Sequence, residues 1–237
     1  MKIALTKKPK NPVIIEGFPG FGLVGTIASE FLIDHLETEL IGKIWLHELP
    51  AMVAIHEGKV VEPIGIFYNK KYNIIIVHGI IGVTGLEWKI TDTIVDMAKN
   101  LKAKEIISLE GIGSATPSEQ TSVFFYTSDE KRAKLLKKAG CSVLKEGIIM
   151  GTTGILLLKS EKNLPVISIF AETHSELPDS KAAARVIEIL DKYLGLDVDY
   201  KPLLKQAEKF ESKLKELLSK SQKISEEQKK KKLSYVG

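Results

Sequence analysis

Four ionisable side chains stand at the ends of apolar runs rich in valine and isoleucine: Glu16, His78, Glu110 and Glu172. If these runs are parallel strands, their carboxyl ends meet at one edge of a sheet, where ligands of α/β proteins usually bind. Carboxylates and an imidazole in one crevice could perform acid–base chemistry on a small molecule, provided that burial shifts their pKa values. The alternative is a structural role, in which the four groups satisfy loop N–H groups and cap helices.

A glycine-rich turn lies between the first apolar run and a helical pattern, with glycines at Gly17, Gly20, Gly22 and Gly25. Residues 20–25 match G-x-G-x-x-G, the fingerprint of a dinucleotide-binding turn. Such a site needs an acidic residue after the second strand, whereas Glu39 precedes the next apolar run. The stiff residues Phe18, Pro19 and Phe21 suit packing better than phosphate binding. We therefore predict a turn that packs a helix on the sheet, with no cofactor, and keep nucleotide binding as the alternative.

The histidines and the single cysteine do not form a pattern typical of metal binding or nucleophilic catalysis. The spacing of His47, His56, His78 and His174 does not match a zinc site. Cys141 stands at a predicted helix C-terminus, where the dipole does not favour a thiolate, so we expect it to be buried and inert. Neither a catalytic residue nor a metal site is predicted.

Strand-like and helix-like segments alternate over residues 1–199, which indicates an α/β domain with a mostly parallel sheet between two helix layers. The predicted strands are Val13–Ile15, Ile74–Val77, Ile106–Leu109 and Val166–Phe170. The predicted helices are Thr26–Leu36, Leu86–Leu101, Asp129–Ala139 and Asp179–Leu194. Ser128 or Asp129 is the predicted N-cap of the third and Asp179 that of the fourth, and glycines stand at the C-terminal ends of these two helices. Shorter runs over residues 41–68 predict a meander or hairpin. Residues 151–154 (Gly-Thr-Thr-Gly) predict a loop beside the crevice at the strand ends.

The chain changes character from Tyr200 onward. Apolar residues at alternating spacings of three and four form a heptad seam over residues 200–228, carried chiefly by Leu203, Phe210, Leu214 and Leu217. We predict a helix that packs against the body or against a second subunit; a solvated helix that frays is the alternative.

The last nine residues, 229–237, are predicted to be a mobile basic tether that ends in a short apolar peptide. Four lysines precede this peptide, in which Leu233, Tyr235, Val236 and the Gly237 carboxylate could be captured by a partner. An ordinary disordered terminus is the alternative.

Composition and charge exclude several classes of function. Eleven Lys and five Glu give residues 201–237 a charge of +6, which leaves −2 for the first 200 residues of a chain whose net charge is +4. A mildly acidic body argues against a nucleic-acid binder, which usually shows a basic face on the folded domain. No apolar run is long enough to span a membrane, no secretory signal is evident, and the lone cysteine excludes an internal disulfide. We therefore expect a cytoplasmic protein that binds neither membrane nor nucleic acid.

Several motifs together resemble the proteasome assembly chaperone family of the PAC-two type, and the chain looks most like an archaeal homologue. The resemblance covers roughly residues 10–195 and is carried by Glu16, Gly17, Phe18, Pro19, Gly20, Gly22 and Gly25, by the Glu48-Leu49-Pro50 turn, by residues 79–82, by Glu110-Gly111, and by residues 151–154. It implies an α/β fold similar to that of purine nucleoside phosphorylases, without known catalysis. It also implies a homo-oligomer that binds the proteasome 20S core particle.

The resemblance gives the C-terminal peptide a specific interpretation. Proteasome-binding proteins commonly end in a hydrophobic residue, tyrosine and any residue, which dock between α-subunits beside a lysine; here Tyr235 stands one position earlier. The leading hypothesis is a non-enzymatic chaperone or activator whose tails bind proteasome α-subunits. The alternative is a phosphorylase- or hydrolase-like enzyme that acts on a nucleoside or similar small molecule at the strand ends.

Overall fold

The structure, a computed structural model, describes residues 2–49, 54–56, 58–113, 121–173 and 177–205. The strands are β1 (Lys2–Ile3), β2 (Val13–Gly17), β3 (Glu39–Trp45), β4 (Ala54–His56), β5 (Lys59–Val61), β6 (Ile64–Asn69), β7 (Ile74–Gly79), β8 (Glu105–Gly113), β9 (Val123–Tyr126), β10 (Ser142–Val143) and β11 (Val166–Thr173). The α-helices are α1 (Val24–His35), α2 (Glu87–Leu101), α3 (Glu130–Lys138), α4 (Gly151–Leu158) and α5 (Ser180–Leu194), and a 3-10 helix (Phe21–Leu23) precedes α1.

Within the described residues, nine strands form one mixed sheet in the order β1-β3-β6-β7-β2-β8-β11-β9-β10. The four central strands, β7, β2, β8 and β11, are parallel to one another. The flanking pairs are antiparallel, except for β9 and β10 at one edge. The predicted α/β fold is confirmed, and its parallel pairing is concentrated at the centre, where the longest apolar runs lie.

Helices cover both faces of the sheet and create two hydrophobic cores. On one face, α1, α3 and α5 pack their apolar stripes, including Leu32 and Ile187, against alternate strand residues such as Ile15. On the other face, α2 and α4 contribute Ile94 and Leu156 against the intervening strand residues. Because strand side chains alternate between faces, a continuous apolar run supplies both cores. The three-layer αβα arrangement is therefore observed.

The predicted helix caps are also observed. Asp129 accepts a hydrogen bond from the Arg132 N–H over 2.9 Å, and Asp179 accepts one from the Ala182 N–H over 2.9 Å. These carboxylates satisfy N–H groups that have no partner within the helix. At the end of α5, Gly195 adopts the left-handed conformation (φ 67°) that commonly terminates a helix.

The predicted loop over residues 151–154 is wrong, because these residues form the first turn of α4. Glycine and β-branched threonine are weak helix formers, so the sequence carries little local signal for a helix there. Burial of Thr152 and Thr153, together with the contact of Thr153 with Ser108 of the sheet, overrides that weak preference.

The start of the C-terminal segment packs on the body. Residues 201–205 are helical, and Leu203 is buried in the core formed by α1 and α5. The other predicted seam residues (Phe210, Leu214 and Leu217) and the predicted partner-binding residues (Leu233, Tyr235, Val236 and Gly237) lie outside the described residues.

Candidate functional site

At the carboxyl edge of the central strands, two of the four predicted residues, Glu16 and Glu110, lie on the same face of the sheet, whereas His78 lies on the opposite face. Glu16 aligns with Ser108 across β2 and β8, and both side chains point to the face covered by α4. His78 aligns with Gly17, one residue further along, so its side chain points to the opposite face and contacts Ser29 of α1. The expectation that all four residues share one crevice is therefore wrong, because successive strand residues face opposite ways.

Glu16 and Glu110 are joined by a buried row of side-chain contacts. The Ser108 hydroxyl donates to Glu16 Oε1 over 2.5 Å, and Ser108 Oγ lies 2.8 Å from Thr153 Oγ1 on α4. The Thr153 hydroxyl donates to Glu110 Oε2 over 3.2 Å. Three hydrogen bonds need three hydrogens, whereas the two hydroxyls carry two. A carboxyl protonated on the oxygen that faces its hydroxyl would supply the third, because that carboxyl then donates to the hydroxyl and the hydroxyl donates to its neighbour in the row.

Burial makes protonation of these carboxyls favourable. It raises the pKa of Glu16 to about 8, although the Ser108 hydrogen bond opposes the shift and the charge of Glu110 adds to it. Burial likewise raises the pKa of Glu110 to about 7, opposed by hydrogen bonds from the Gly111 N–H, Thr153 and the Phe21 N–H. Among the described residues, Glu16 Oε2 has no hydrogen-bond partner. Glu16 is therefore mostly neutral at pH 7.

His78 joins the sheet to α1. Its Nδ1 lies 2.8 Å from Ser29 Oγ, whose own hydroxyl donates to the Thr26 carbonyl over 3.1 Å. The Ser29 hydrogen is thus used, so His78 donates from Nδ1 in this arrangement. Burial lowers the pKa of His78 to about 4, which keeps the imidazole neutral. This geometry fits a packing role.

A cavity of about 520 Å³ opens at the carboxyl edge between the glycine turn and residues 144–152. Glu110 lines it, together with Glu87 and Glu146. Glu16, by contrast, is buried beneath the edge. Glu172 is half-buried on β11, where its backbone N–H donates to the Ser122 carbonyl over 2.9 Å. Of the four predicted residues, Glu110 is therefore the one that lines the cavity, and the predicted acid–base pair of a carboxyl and His78 does not form there.

The glycine turn packs against protein atoms. A methyl group at Gly25 would overlap the Leu109 carbonyl oxygen, and one at Gly20 would overlap the Glu110 carboxyl group. Phe18 is buried with its ring against Gly79. These glycines let α1 approach β8 closely, as the packing interpretation of the G-x-G-x-x-G match predicts.

Ser29 and Ser108 were missed as members of the site. Ser108 is two residues before Glu110 on β8, so strand alternation places both on one face. This spacing was a usable signal. Thr153 belongs to residues 151–154, which were expected beside the crevice, and it does lie there, although on a helix and not on the predicted loop.

Cys141 is buried, as predicted, and burial raises the pKa of its thiol to about 12. Every helix in the described parts of the chain is too short or too polar to cross a bilayer.

Two solved structures from Pyrococcus furiosus are similar to this one over most of its length. PbaA, an archaeal homolog of proteasome-assembly chaperone, superimposes in its monoclinic crystal form with a TM-score of 0.85 and 34% sequence identity, covering 97% of both chains. PbaB, an archaeal proteasome activator, gives a TM-score of 0.77 and 25% identity, covering 91% of this chain and 98% of PbaB.

Sequence comparison leads to the same family. The protein MJ0106 of Methanocaldococcus jannaschii is 32% identical over 231 residues, which are 96% of this chain and 94% of that protein. The PAC2 family model matches residues 14–218, a span that includes the glycine turn, the Glu110 strand and α4. The resemblance drawn from the motifs is therefore confirmed, and the chain belongs to the PAC2 family.

Proposed function

We propose that the protein is a non-enzymatic proteasome assembly chaperone or activator that acts in the cytoplasm. The observation that carries this proposal is its likeness to PbaA, at 34% identity over 97% of both chains. The likeness to PbaB, an archaeal proteasome activator, leaves both roles open. The partner would be the 20S core particle, contacted through its α-subunits.

The geometry of the carboxyl edge supports a scaffold. Neighbouring backbone and side-chain atoms occupy the space beside Gly17, Gly20, Gly22 and Gly25 of the turn. Glu16 and His78 are buried on opposite faces of the sheet. Catalysis by an acid–base pair would need both groups to reach one ligand. Packing between the turn and the strands instead makes a rigid platform.

The C-terminal segment is the proposed contact with the α-subunits. The buried Leu203 anchors its first turn to the body, from which the predicted heptad helix would continue. Leu233–Gly237 would then dock with its carboxylate near a lysine and with Tyr235 in a groove. A homo-oligomer would present several such tails at once, which raises affinity without new contacts.

A pull-down with purified 20S core particle tests this proposal. Deletion of Leu233–Gly237 is expected to abolish capture without changing the melting temperature or the oligomer size. The control carries the same five residues in scrambled order, which preserves length and composition, and it should also fail to bind. Undiminished capture by the truncated protein would rule out the peptide as the contact.

A small-molecule enzyme is the second candidate, and the position of Glu110 at the cavity favours it. A thermal-shift screen with nucleosides and nucleotides would identify compounds that bind, and an assay of product formation from those compounds tests this alternative. If a compound is turned over by the wild-type protein and not by a Glu110→Gln variant, the protein is an enzyme and the non-enzymatic proposal fails.

A further inference from the structure

A groove with a volume of about 880 Å³, here called the α2 groove, runs between the N-terminal segment and α2. One wall consists of α2 residues at spacings of three and four from Lys89 to Leu101, which form one face of the helix over about 18 Å. The other wall comes from residues 3–11. This segment begins beside β3, with which Ile3 pairs, and reaches the end of α2, where the Asn11 N–H donates to the Leu101 carbonyl over 2.9 Å.

The lining of the α2 groove combines an apolar floor with a polar rim. Ile3, Leu5 and Pro9 are half-buried along one wall, and Met97 and Leu101 of α2 are buried in the other. The remaining lining residues, which are the majority, are polar or charged. Sites for small molecules are usually enclosed and lined mostly by apolar side chains. A long groove with a polar rim is better suited to a peptide segment.

The rim of the α2 groove has an excess of positive charge. Among the described residues, the side chains of Lys8, Lys10 and Lys102 form no ion pair, and neither does that of Asp96. The other two lining charges are already neutralised in ion pairs, Lys89 by Glu48 and Asp92 by Lys159. Three lysines against one aspartate leave +2 for the unpaired charges. The groove is therefore complementary to an acidic partner.

Two of these lysines have no structural task in the fold. Lys102 follows the C-terminus of α2, where a cation compensates the helix dipole. Lys8 and Lys10, by contrast, belong to no helix or strand, and both are exposed. Their charges are available to a partner that lies in the groove.

We propose that the α2 groove binds an amphipathic helix of a partner protein, with its apolar side chains on the floor and acidic side chains at the lysines of the rim. A helix of about 12 residues spans the groove, and binding of such a helix in a groove is a common mode of peptide recognition. Addition of a β-strand is disfavoured, because residues 4–11 form no strand, the Thr6 N–H already donates to the Ile41 carbonyl, and Pro9 has no N–H.

Charge and position argue against the chain's own C-terminal segment as the occupant. Nine Lys and five Glu give residues 206–237 a charge of +4, which has the same sign as the rim. The start of the segment lies on the other face of the sheet, because Leu203 packs in the core formed by α1 and α5, whereas α2 packs in the second core. An acidic helix from another protein supplies the opposite charge.

This inference goes beyond the proposed function, because the groove is separate from the peptide that would contact the proteasome. The experiments on the groove contain no proteasome, so either proposal can fail without the other. Deletion of Leu233–Gly237 should leave binding at the groove unchanged. Loss of binding on that deletion would place the bound helix at the tail and overturn the inference.

Fluorescence anisotropy with two labelled peptides of about 12 residues tests the contact. Both peptides have leucines at spacings of three and four, and their other positions are shared between alanine and glutamate in one and between alanine and lysine in the other. We expect the full-length protein to bind the acidic peptide roughly tenfold more tightly than the basic one. Equal affinities, tighter binding of the basic peptide, or no binding of either would overturn the proposal.

Reversal of the rim charge tests where the acidic peptide binds. The double variant Lys8→Glu/Lys10→Glu should weaken its binding roughly tenfold, because attraction becomes repulsion at two positions. The matched control Lys131→Glu/Lys134→Glu makes the same change of charge at exposed lysines of α3, on the other face of the sheet. All four lysines are exposed, so both melting temperatures should stay unchanged. Equal effects of the two variants, or no effect of the first, would overturn the proposal.

Fluorescence quenching locates the peptide independently. A dye on Asn100→Cys, an exposed position that lines the groove, should be quenched by the acidic peptide carrying a quencher, over the same concentrations as in the anisotropy curve. A dye on Lys134→Cys should not be quenched, and the native Cys141 is buried and should stay unlabelled. Equal quenching at the two positions would overturn the proposal.

Two other occupants would give distinct results. If the acidic peptide bound only after removal of residues 206–237, the chain's own C-terminal segment would be the occupant. If the Lys8→Glu/Lys10→Glu protein had a lower solution mass than the wild-type protein in the absence of peptide, a second copy would be the occupant. Either result would overturn the proposal.

Discussion

Glu16 occupies a site that favours its neutral form. The carboxyl group is buried in the central strand β2; its Oε1 is hydrogen-bonded to Ser108, and its Oε2 has no partner among the described residues. Burial of an ionised carboxylate without full compensation is costly, and the folded protein avoids that cost by holding a proton. The pKa of Glu16 therefore rises to about 8.

The raised pKa predicts a pH dependence of stability that Glu16→Gln should weaken. Between pH 5 and pH 8 the folded state retains a proton that the unfolded chain has released, so the free energy of unfolding falls as the pH rises. For a rise from 4.5 to about 8, the contribution of Glu16 over this range is roughly 3 kcal/mol. The Gln variant should lose that part of the slope and keep the smaller part due to Glu110.

Urea denaturation at several pH values between 5 and 8 measures this slope. Glu130→Gln, at an exposed glutamate of α3, serves as the control and should follow the wild-type protein. A Glu16→Gln slope equal to that of wild type would show that Glu16 is ionised in the folded protein.

The turn between β2 and α1 shows why an element can require glycine without binding phosphate. Gly25 lies in the first turn of α1, where its missing side chain lets the helix rest on the Leu109 carbonyl of β8. The clash partner of an added methyl group would be backbone, which cannot move aside as a flexible side chain can. Close packing of helix and sheet thus depends on this position.

We expect Gly25→Ala to destabilise the protein by about 3 kcal/mol, the upper end of the range typical of core overpacking, because the added methyl group meets backbone. Gly82→Ala is the matched control, because an added methyl group there meets no atom within 4 Å. The control should change the free energy of unfolding by less than about 1 kcal/mol. Similar stabilities of the two variants would mean that α1 does not rest on β8 as described.

The N-terminus of α5 depends on Asp179, whose carboxylate accepts from the Ala182 N–H over 2.9 Å and from the Thr173 hydroxyl over 2.7 Å. Asp179→Ala should lower the free energy of unfolding by about 1–2 kcal/mol, as loss of an N-cap typically does. The exposed Asp96, in the middle of α2, provides the control substitution. Thermal or urea unfolding measures both, and equal effects would contradict the capping role.

At the scale of the whole molecule, self-association and proteasome binding should be coupled through avidity. A single short peptide binds weakly, whereas linked copies gain on the order of 10²-fold or more when their geometry permits simultaneous binding. Protein diluted until its oligomer has dissociated should therefore bind immobilised 20S particles at least tenfold more weakly than the intact oligomer, although each tail is unchanged. Surface plasmon resonance over a range of protein concentrations measures this, and the protein that lacks Leu233–Gly237 is the control that should not bind. Equal affinity of the monomer would contradict multivalent docking.

Local patterns determined the central strands, four helices and their caps. Apolar runs that indicate strands and 3.6-residue periods that indicate helices both involve residues close together in the chain. The Asp129 and Asp179 caps are equally local, because each side chain accepts from a backbone N–H three residues further on. The same local information favoured packing over nucleotide binding at the glycine turn, because bulky Phe18 and Pro19 stand within it. The family motifs also lie in this short stretch.

Only the tertiary structure decided which of these residues meet. Residues 151–154 lack a helical signal of their own and become helical because the sheet buries their threonines. His78 and Glu16 were expected in one crevice, but a register offset of one residue turns them to opposite faces. Strand pairing and burial join residues that are far apart in the chain, and these long-range contacts override weak local preferences.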